Sequence, residues 1–120
     1  MQQTLSVQEL FTGEHWISKA VIVIENGKIT QLKKEGYDHK NAMPLIVPAL
    51  IDLQIYGADE KLLSEFPTAD TIQKIYAYCL GSGTAYFQPT LATQSWEVIY
   101  KCIDTVRDYK ANGGKGCIGL

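Results

Sequence analysis

A chain of 120 residues is long enough for one ordinary domain with a real core, and 46% hydrophobic with 20% charged residues is the composition of a globular protein, which excludes a disordered one. Eleven Lys and Arg against thirteen Asp and Glu leave a net charge of -2, and no stretch gathers the basic residues into a stripe that could neutralise phosphates, so no nucleic-acid partner is expected. Met1 to Leu10 has neither a basic start nor an apolar run of signal-peptide length, and nowhere is there an apolar run of the roughly 18 residues that cross a membrane, so no membrane partner is expected and a reducing cytoplasm fits best.

The first strong local signal is Ala20 to Leu32. Val21-Ile22-Val23-Ile24 precede Glu25-Asn26-Gly27-Lys28, and Ile29 to Leu32 follow. Asn-Gly suits both positive-φ positions of a type I′ turn, so this segment predicts a β-hairpin. Leu5 to Leu10 and Trp16 to Ser18 are candidates for short strands beside it, and Gly36 to Asn41 reads as a polar loop.

After Pro44 the pattern changes. Leu45 to Tyr56 is almost wholly apolar, interrupted by Pro48, Asp52 and Gln54 and closed by Gly57, which predicts a strand covered on both faces. Thr68 to Leu80 follows with Ile72, Ile75, Tyr76, Cys79 and Leu80 at helical spacing, a cap at Thr68 or Asp70, and Gly81-Ser82-Gly83 as its stop. A strand is expected at Thr84 to Gln88, a break at Pro89-Thr90, and a second helix from Ser95 to Lys110 whose Ile99, Cys102, Ile103 and Val106 share a face. Asn112-Gly113-Gly114 ends it, and Gly116 to Leu120 begins a third strand.

The predicted order is therefore a hairpin and then β-α-β-α-β, which implies an α/β fold with a parallel sheet. Three strands and two helices close poorly on themselves, whereas a complete (β/α)8 barrel takes roughly 250 residues. The expectation is a barrel's opening units, truncated. The three cysteines, Cys79, Cys102 and Cys117, are widely spaced and each lies in an apolar segment, where a thiol packs as a small hydrophobe.

The segment Ile51-Asp52-Leu53-Gln54-Ile55-Tyr56-Gly57 carries the clearest chemistry. With a side-chain period of two, Asp52, Gln54 and Tyr56 share one face of the strand. Buried without partners, each would cost a few kcal/mol, so they form either a satisfied network in the core or a site, since active-site groups gather at the C-terminal ends of parallel barrel strands.

Pro48 to Gly57 resembles the first barrel strand of the amidohydrolase superfamily, usually Pro-Gly-aliphatic-Ile-Asp-x-His-x-His-Gly, with Gln54 and Tyr56 where the two histidines stand. In that departure it is similar to the N-acetylglucosamine-6-phosphate deacetylases, which commonly carry Gln-x-Asn there. Gly81 to Thr93 resembles the family's Ser-Gly-Thr-Thr-x-x-x-Pro-Thr-x-x-Thr segment, and Gly116 to Leu120 the run into its His-x-Glu-Gly-Pro motif. The resemblance implies that residues 1–47 are part of a small β-sandwich built from the two chain ends, and that residues 48–120 open a TIM barrel.

It further implies a metal-dependent hydrolase acting on the acetamide of an amino sugar phosphate, homo-oligomeric at full length. Its divalent metal, zinc or similar, would be held by residues after Leu120, as would its catalytic Asp. No catalytic residue and no metal ligand is then expected within this chain, which alone would be inactive and bind no cofactor. Gln54 and Tyr56 would line the substrate site, and Gly57 would let substrate approach the backbone. Ala49 in place of the usual Gly and Tyr56 in place of Asn depart from the pattern.

The remaining candidates read as structural. His15 and His39 lie in probable loops and share no ligand spacing, and Tyr76, Tyr78, Trp96, Tyr100 and Tyr109 sit mostly on helices, where core or interface packing is expected before a sugar platform. Gly81, Gly83, Gly113 and Gly114 suit helix stops better than phosphate cradles. Two other functions stay open: a dihydroorotase-like cyclic amidase, which a first-strand histidine pair would have favoured, and a non-catalytic, self-associating scaffold.

Overall fold

In the computed structural model, which describes residues 1–120, the chain divides into two units, Met1–Pro48 and Ala49–Leu120. The first is organised by the predicted hairpin. Asn26 and Gly27 adopt φ of 52° and 77°, the left-handed pair of a type I′ turn, whose twist matches that of the strands it joins. Those strands are β2 (Trp16–Glu25) and β3 (Lys28–Lys33), antiparallel from the pair Glu25↔Lys28. The N-terminal ammonium of Met1 donates to Asn26 Oδ1 at 3.1 Å, tying the start of β1 (Gln2–Phe11) to the turn.

β1 pairs antiparallel with the other edge of β2, and β4 (Met43–Ile46) adds to β1 in parallel, giving the order β3-β2-β1-β4. Because β2 is central, Ala20 to Val23 are buried in succession, on both faces of the strand. Val7, Leu10, Ala20 and Ile22 form the core of this unit. The hairpin belongs to this sheet and shares no strand with the parallel pair of the second unit.

Three expectations about this region need correction. Trp16 to Ser18 is not a separate short strand but the start of β2, since no breaker separates it from Val21; β1 likewise runs beyond Leu5 to Leu10. The apolar run Leu45 to Tyr56 is split between two sheets, because Val47, Pro48 and Ala49 pair with nothing and a proline cannot donate to a ladder. Its first part became β4, which tolerates Pro44 because it is an edge strand.

The second part is β5 (Leu50–Ile55), which opens the second unit and pairs in parallel with β8 (Thr84–Pro89) through Leu50↔Thr84, Ile51↔Tyr86 and Asp52↔Phe87. This parallel pairing was expected; cover on both faces is absent. Leu50, Ile51 and Leu53 are 60, 57 and 65% exposed and only Ile55 is buried, because β8 is the sole strand beside β5.

Between them the chain forms a short hairpin that the sequence did not announce, β6 (Gly57–Ala58) with β7 (Lys61–Leu62), and then helix α1 (Ala69–Gly81). Thr68 caps α1, its hydroxyl accepting from the Thr71 amide at 3.3 Å. After β8, Ser95 caps α2 (Trp96–Ala111) in the same way through Val98.

The expected third strand, Gly116 to Leu120, is reduced to one parallel bridge, Phe87↔Cys117. Phe87 N–H donates to Gly116 O at 2.9 Å and Phe87 O accepts from Ile118 at 3.0 Å. Gly116 itself has φ of 78°, outside the extended region, so the ladder cannot begin earlier. The fold is thus a mixed α/β arrangement in which strands dominate, with β-α-β followed by a helix and a bridge. Its second core gathers Ile72, Ile75 and Cys79 of α1, Cys102 and Val106 of α2, and Phe87 of β8 at its centre, with Tyr76 stacked on the Phe87 ring at 6.3 Å.

Phe87 is fully buried, and removing its ring leaves a cavity that rigid neighbours on three elements cannot fill. Phe87→Ala is expected to destabilise the second unit by about 3–5 kcal/mol, read as a lower urea midpoint at unchanged slope. A loss under about 1 kcal/mol would show that β8 is not its central strand.

Candidate functional site

Asp52 and Gln54 of β5 and Tyr56, the residue that follows it, are joined by hydrogen bonds. Asp52 Oδ1 accepts from the backbone N–H of Gln54 at 2.9 Å, and this local bond accompanies a shift in the β5–β8 register between Asp52 and Ile55. Gln54 Nε2 donates to the Tyr56 hydroxyl at 3.0 Å. Period-two spacing therefore delivered neighbours, as expected. Burial differs: Asp52 is half-buried, whereas Gln54 and Tyr56 are open to solvent.

The backbone beneath them is pinned from both sides. Ile55 O accepts from Thr90 N–H at 2.8 Å and Tyr56 O accepts from Leu63 N–H at 3.0 Å. Gly57 has a structural reason of its own: a Cβ there would lie 2.0 Å from Lys61 O and 2.8 Å from Leu62 Cα. The space a side chain would take is filled by the chain's own hairpin, so glycine is required before any ligand is considered.

That hairpin turns through Asp59 and Glu60, both at positive φ (55° and 61°). The missing glycine in this turn is why the sequence concealed it. It is tied to α1 by Lys74, whose ammonium lies 3.0 Å from Asp59 Oδ2; that hydrogen bond holds the lysine pKa above its usual value. Lys61 reaches Asp70 at 3.5 Å.

The segment after β8 was matched by motif and not by chemistry. Gln88, Thr90, Thr93 and Gln94 line an open cleft of about 580 Å³ whose apolar wall includes Ile99 and Ile103. It offers hydroxyls and amides and no charge. Trp96 and Tyr100 stand exposed on α2 with ring centroids 6.1 Å apart, and Tyr78 is exposed on α1, so of the expected core or interface packing the core part applies to Tyr109 and not to these three.

No group of three or more His, Cys, Asp and Glu side chains converges in the chain. His15 is exposed, 3.7 Å from Glu14, and His39 packs edge-on against Tyr37. Gln54 and Tyr56 are neutral and bonded to each other, which fits hydrogen bonding to a ligand and does not fit a divalent metal. All three cysteines are buried, as expected, and burial pushes each thiol pKa above the ordinary 9.0.

No family model matches the sequence, and no curated protein matches it. Solved structures do match. The N-acetylglucosamine-6-phosphate deacetylase of Pasteurella multocida aligns with a TM-score of 0.84 at 20% identity, covering 100% of this chain and 33% of that one. The fold is that of a deacetylase's N-terminal part. The Mycobacterium smegmatis deacetylase aligns at 0.74 and 17% identity over 91% of this chain and 32% of its own, and a mutant of it in complex with N-acetyl-D-glucosamine-6-phosphate at 0.74 and 16% over 92% and 30%. A Xaa-Pro dipeptidase with bound methionine aligns less well, at 0.59 and 17% identity, over 100% of this chain and 33% of its own. The chain spans about a third of the length of the structures it matches.

The raised thiol pKa values carry a sign. A folded unit that keeps protons its unfolded chain would release is stabilised in full below the ordinary thiol value and loses that contribution as pH rises past it. Thermal unfolding should therefore show a midpoint that falls as pH rises above about 9, and all three thiols should react slowly with a disulfide reagent until denaturant is added. Rapid labelling of the native chain would contradict the buried assignment.

Proposed function

We propose that this chain forms the N-terminal sheet and the opening strands of a (β/α)8 amidohydrolase barrel that removes the acetyl group of N-acetylglucosamine 6-phosphate. The observation that carries the reading is the parallel β5–β8 pair, with Asp52, Gln54 and Tyr56 at the C-terminal end of β5, inside a fold that superposes over its whole length on the P. multocida deacetylase. The C-terminal ends of barrel strands are where such folds place their sites.

In this reading Gln54 and Tyr56 border the substrate, and Gly57 accommodates the following hairpin, whose Lys61 carbonyl takes the space of a side chain. Hydrolysing an unactivated amide near neutral pH needs a water of lowered pKa and a positioned proton carrier. Residues 1–120 contribute neither, because the candidate residues are an amide and a phenol, and Asp52 is engaged with the Gln54 amide. The metal ligands and the catalytic carboxylate belong to the rest of the barrel. Three unpaired thiols support a reducing, cytoplasmic setting, and no helix is long and apolar enough to cross a membrane.

Acetate release decides the matter. The 120-residue chain should give none from N-acetylglucosamine 6-phosphate, while a protein extended through the remaining barrel strands should do so with added divalent metal. Turnover by the short chain would refute the division of labour, and inactivity of the folded, metal-loaded long protein would refute the deacetylase assignment.

A further inference from the structure

We propose that Asn26 is a site of spontaneous covalent modification: the Gly27 backbone nitrogen closes on its carboxamide to give a succinimide, which water opens to aspartate or isoaspartate. The same dipeptide at Asn112-Gly113 is protected from this reaction by the helix cap it forms. The chemistry is independent of what the barrel hydrolyses. Asparagine is among the thermally labile residues, and a following glycine leaves the attacking nitrogen unshielded by a side chain. Both asparagines are exposed, and a Cβ added at Gly27 or Gly113 would meet nothing within 4 Å. Sequence and solvent access therefore treat the two alike, and hydrogen bonding separates them.

Ring closure needs only the chain and water. The Gly27 nitrogen loses its proton to solvent base and attacks Asn26 Cγ, whose oxygen gathers negative charge. The bond from Cγ to Nδ2 then breaks, and ammonia leaves with a proton from water. One water next opens the imide: cleavage at Cγ gives aspartate, and cleavage at the main-chain carbonyl gives isoaspartate.

At Asn26 the nucleophile is free, since the hairpin pairs Glu25 with Lys28 and no backbone carbonyl accepts from Gly27. The electrophile is activated. The Met1 ammonium donates to Asn26 Oδ1 at 3.1 Å, the atom on which charge develops, and a donor placed there stabilises the tetrahedral intermediate. An ammonium has only protons to give, which fixes the carboxamide with its oxygen toward Met1. At Asn112 both partners are engaged. Gly113 N–H donates to Lys110 O at 3.2 Å, Asn112 Nδ2 donates to Asp108 O at 2.8 Å, and the Asn112 N–H donates to that same carbonyl at 3.0 Å. Closure there must first break the bonds that end α2. The two products at position 26 also differ in consequence: aspartate sets a carboxylate against the Met1 ammonium, whereas isoaspartate lengthens the main chain of a two-residue turn and releases the edge strand β3 from the register Glu25↔Lys28.

The test follows both asparagines in one sample. The full chain is incubated at mildly alkaline pH, native and in denaturant, and its peptides are mapped by mass spectrometry with isoaspartate resolved chromatographically. In denaturant the two sites should convert at similar rates, and in the native chain Asn26 should convert about tenfold or more faster than Asn112, the ratio that a few extra hydrogen bonds supply. Acetylating the Met1 amine should slow Asn26 by about two- to tenfold and leave Asn112 unchanged. A native ratio near one, Asn112 ahead of Asn26, or no conversion at Asn26 in the native chain would overturn the inference. An Asn26 rate indifferent to acetylation would overturn the part assigned to the ammonium.

Discussion

Phe87 is the residue on which the second unit depends. Its backbone bonds to Gly116 and Ile118 on one side, its strand carries β5 on the other, and its ring is enclosed by both helices' apolar faces and Tyr76. A parallel pair cannot be stabilised by a tight turn, as an antiparallel one can, and must be held by the crossover that joins its strands. Burying one large ring at the meeting point of that crossover, the next helix and the returning chain does so. The end of β5, where Asp52, Gln54 and Tyr56 sit, is positioned only because β8 is.

Elements were legible where a local interaction decides them. Asn26-Gly27 dictates its turn by backbone preference, and Thr68 and Ser95 announce their helices by supplying an acceptor to an otherwise unpaired amide. The division of the apolar run after Pro44 depends on which sheet each half joins, and hydrophobicity alone carries no such information. The β6–β7 hairpin was hidden because Asp59 and Glu60 take left-handed conformations without a glycine to announce them, and the ion pair that holds Asp59 comes from Lys74 on α1, 15 residues along the chain. The last strand was overestimated because Gly116 bends away before Cys117 pairs.

The site divides in the same way. Alternation along β5 was enough to place Asp52, Gln54 and Tyr56 together, and the structure adds the bonds between them. Gly57 matched a motif whose reason appears only in three dimensions, where Lys61 O occupies the position of its missing side chain. The polar lining at the end of β8 and just beyond it, Gln88, Thr90 and Thr93, had no periodic signal at all, since it arises from a strand end and a loop meeting one helix.

β5 pairs on one edge only and holds Leu50, Ile51 and Leu53 open to water. In a test tube that strand is a template: its free carbonyls and amides invite any extended segment, and its aliphatic side chains reward the encounter from either face. Expressed by itself, the chain would be governed by concentration, with sedimentation and light scattering changing between micromolar and millimolar samples. Chaperones that bind extended apolar segments would compete with that association for this strand.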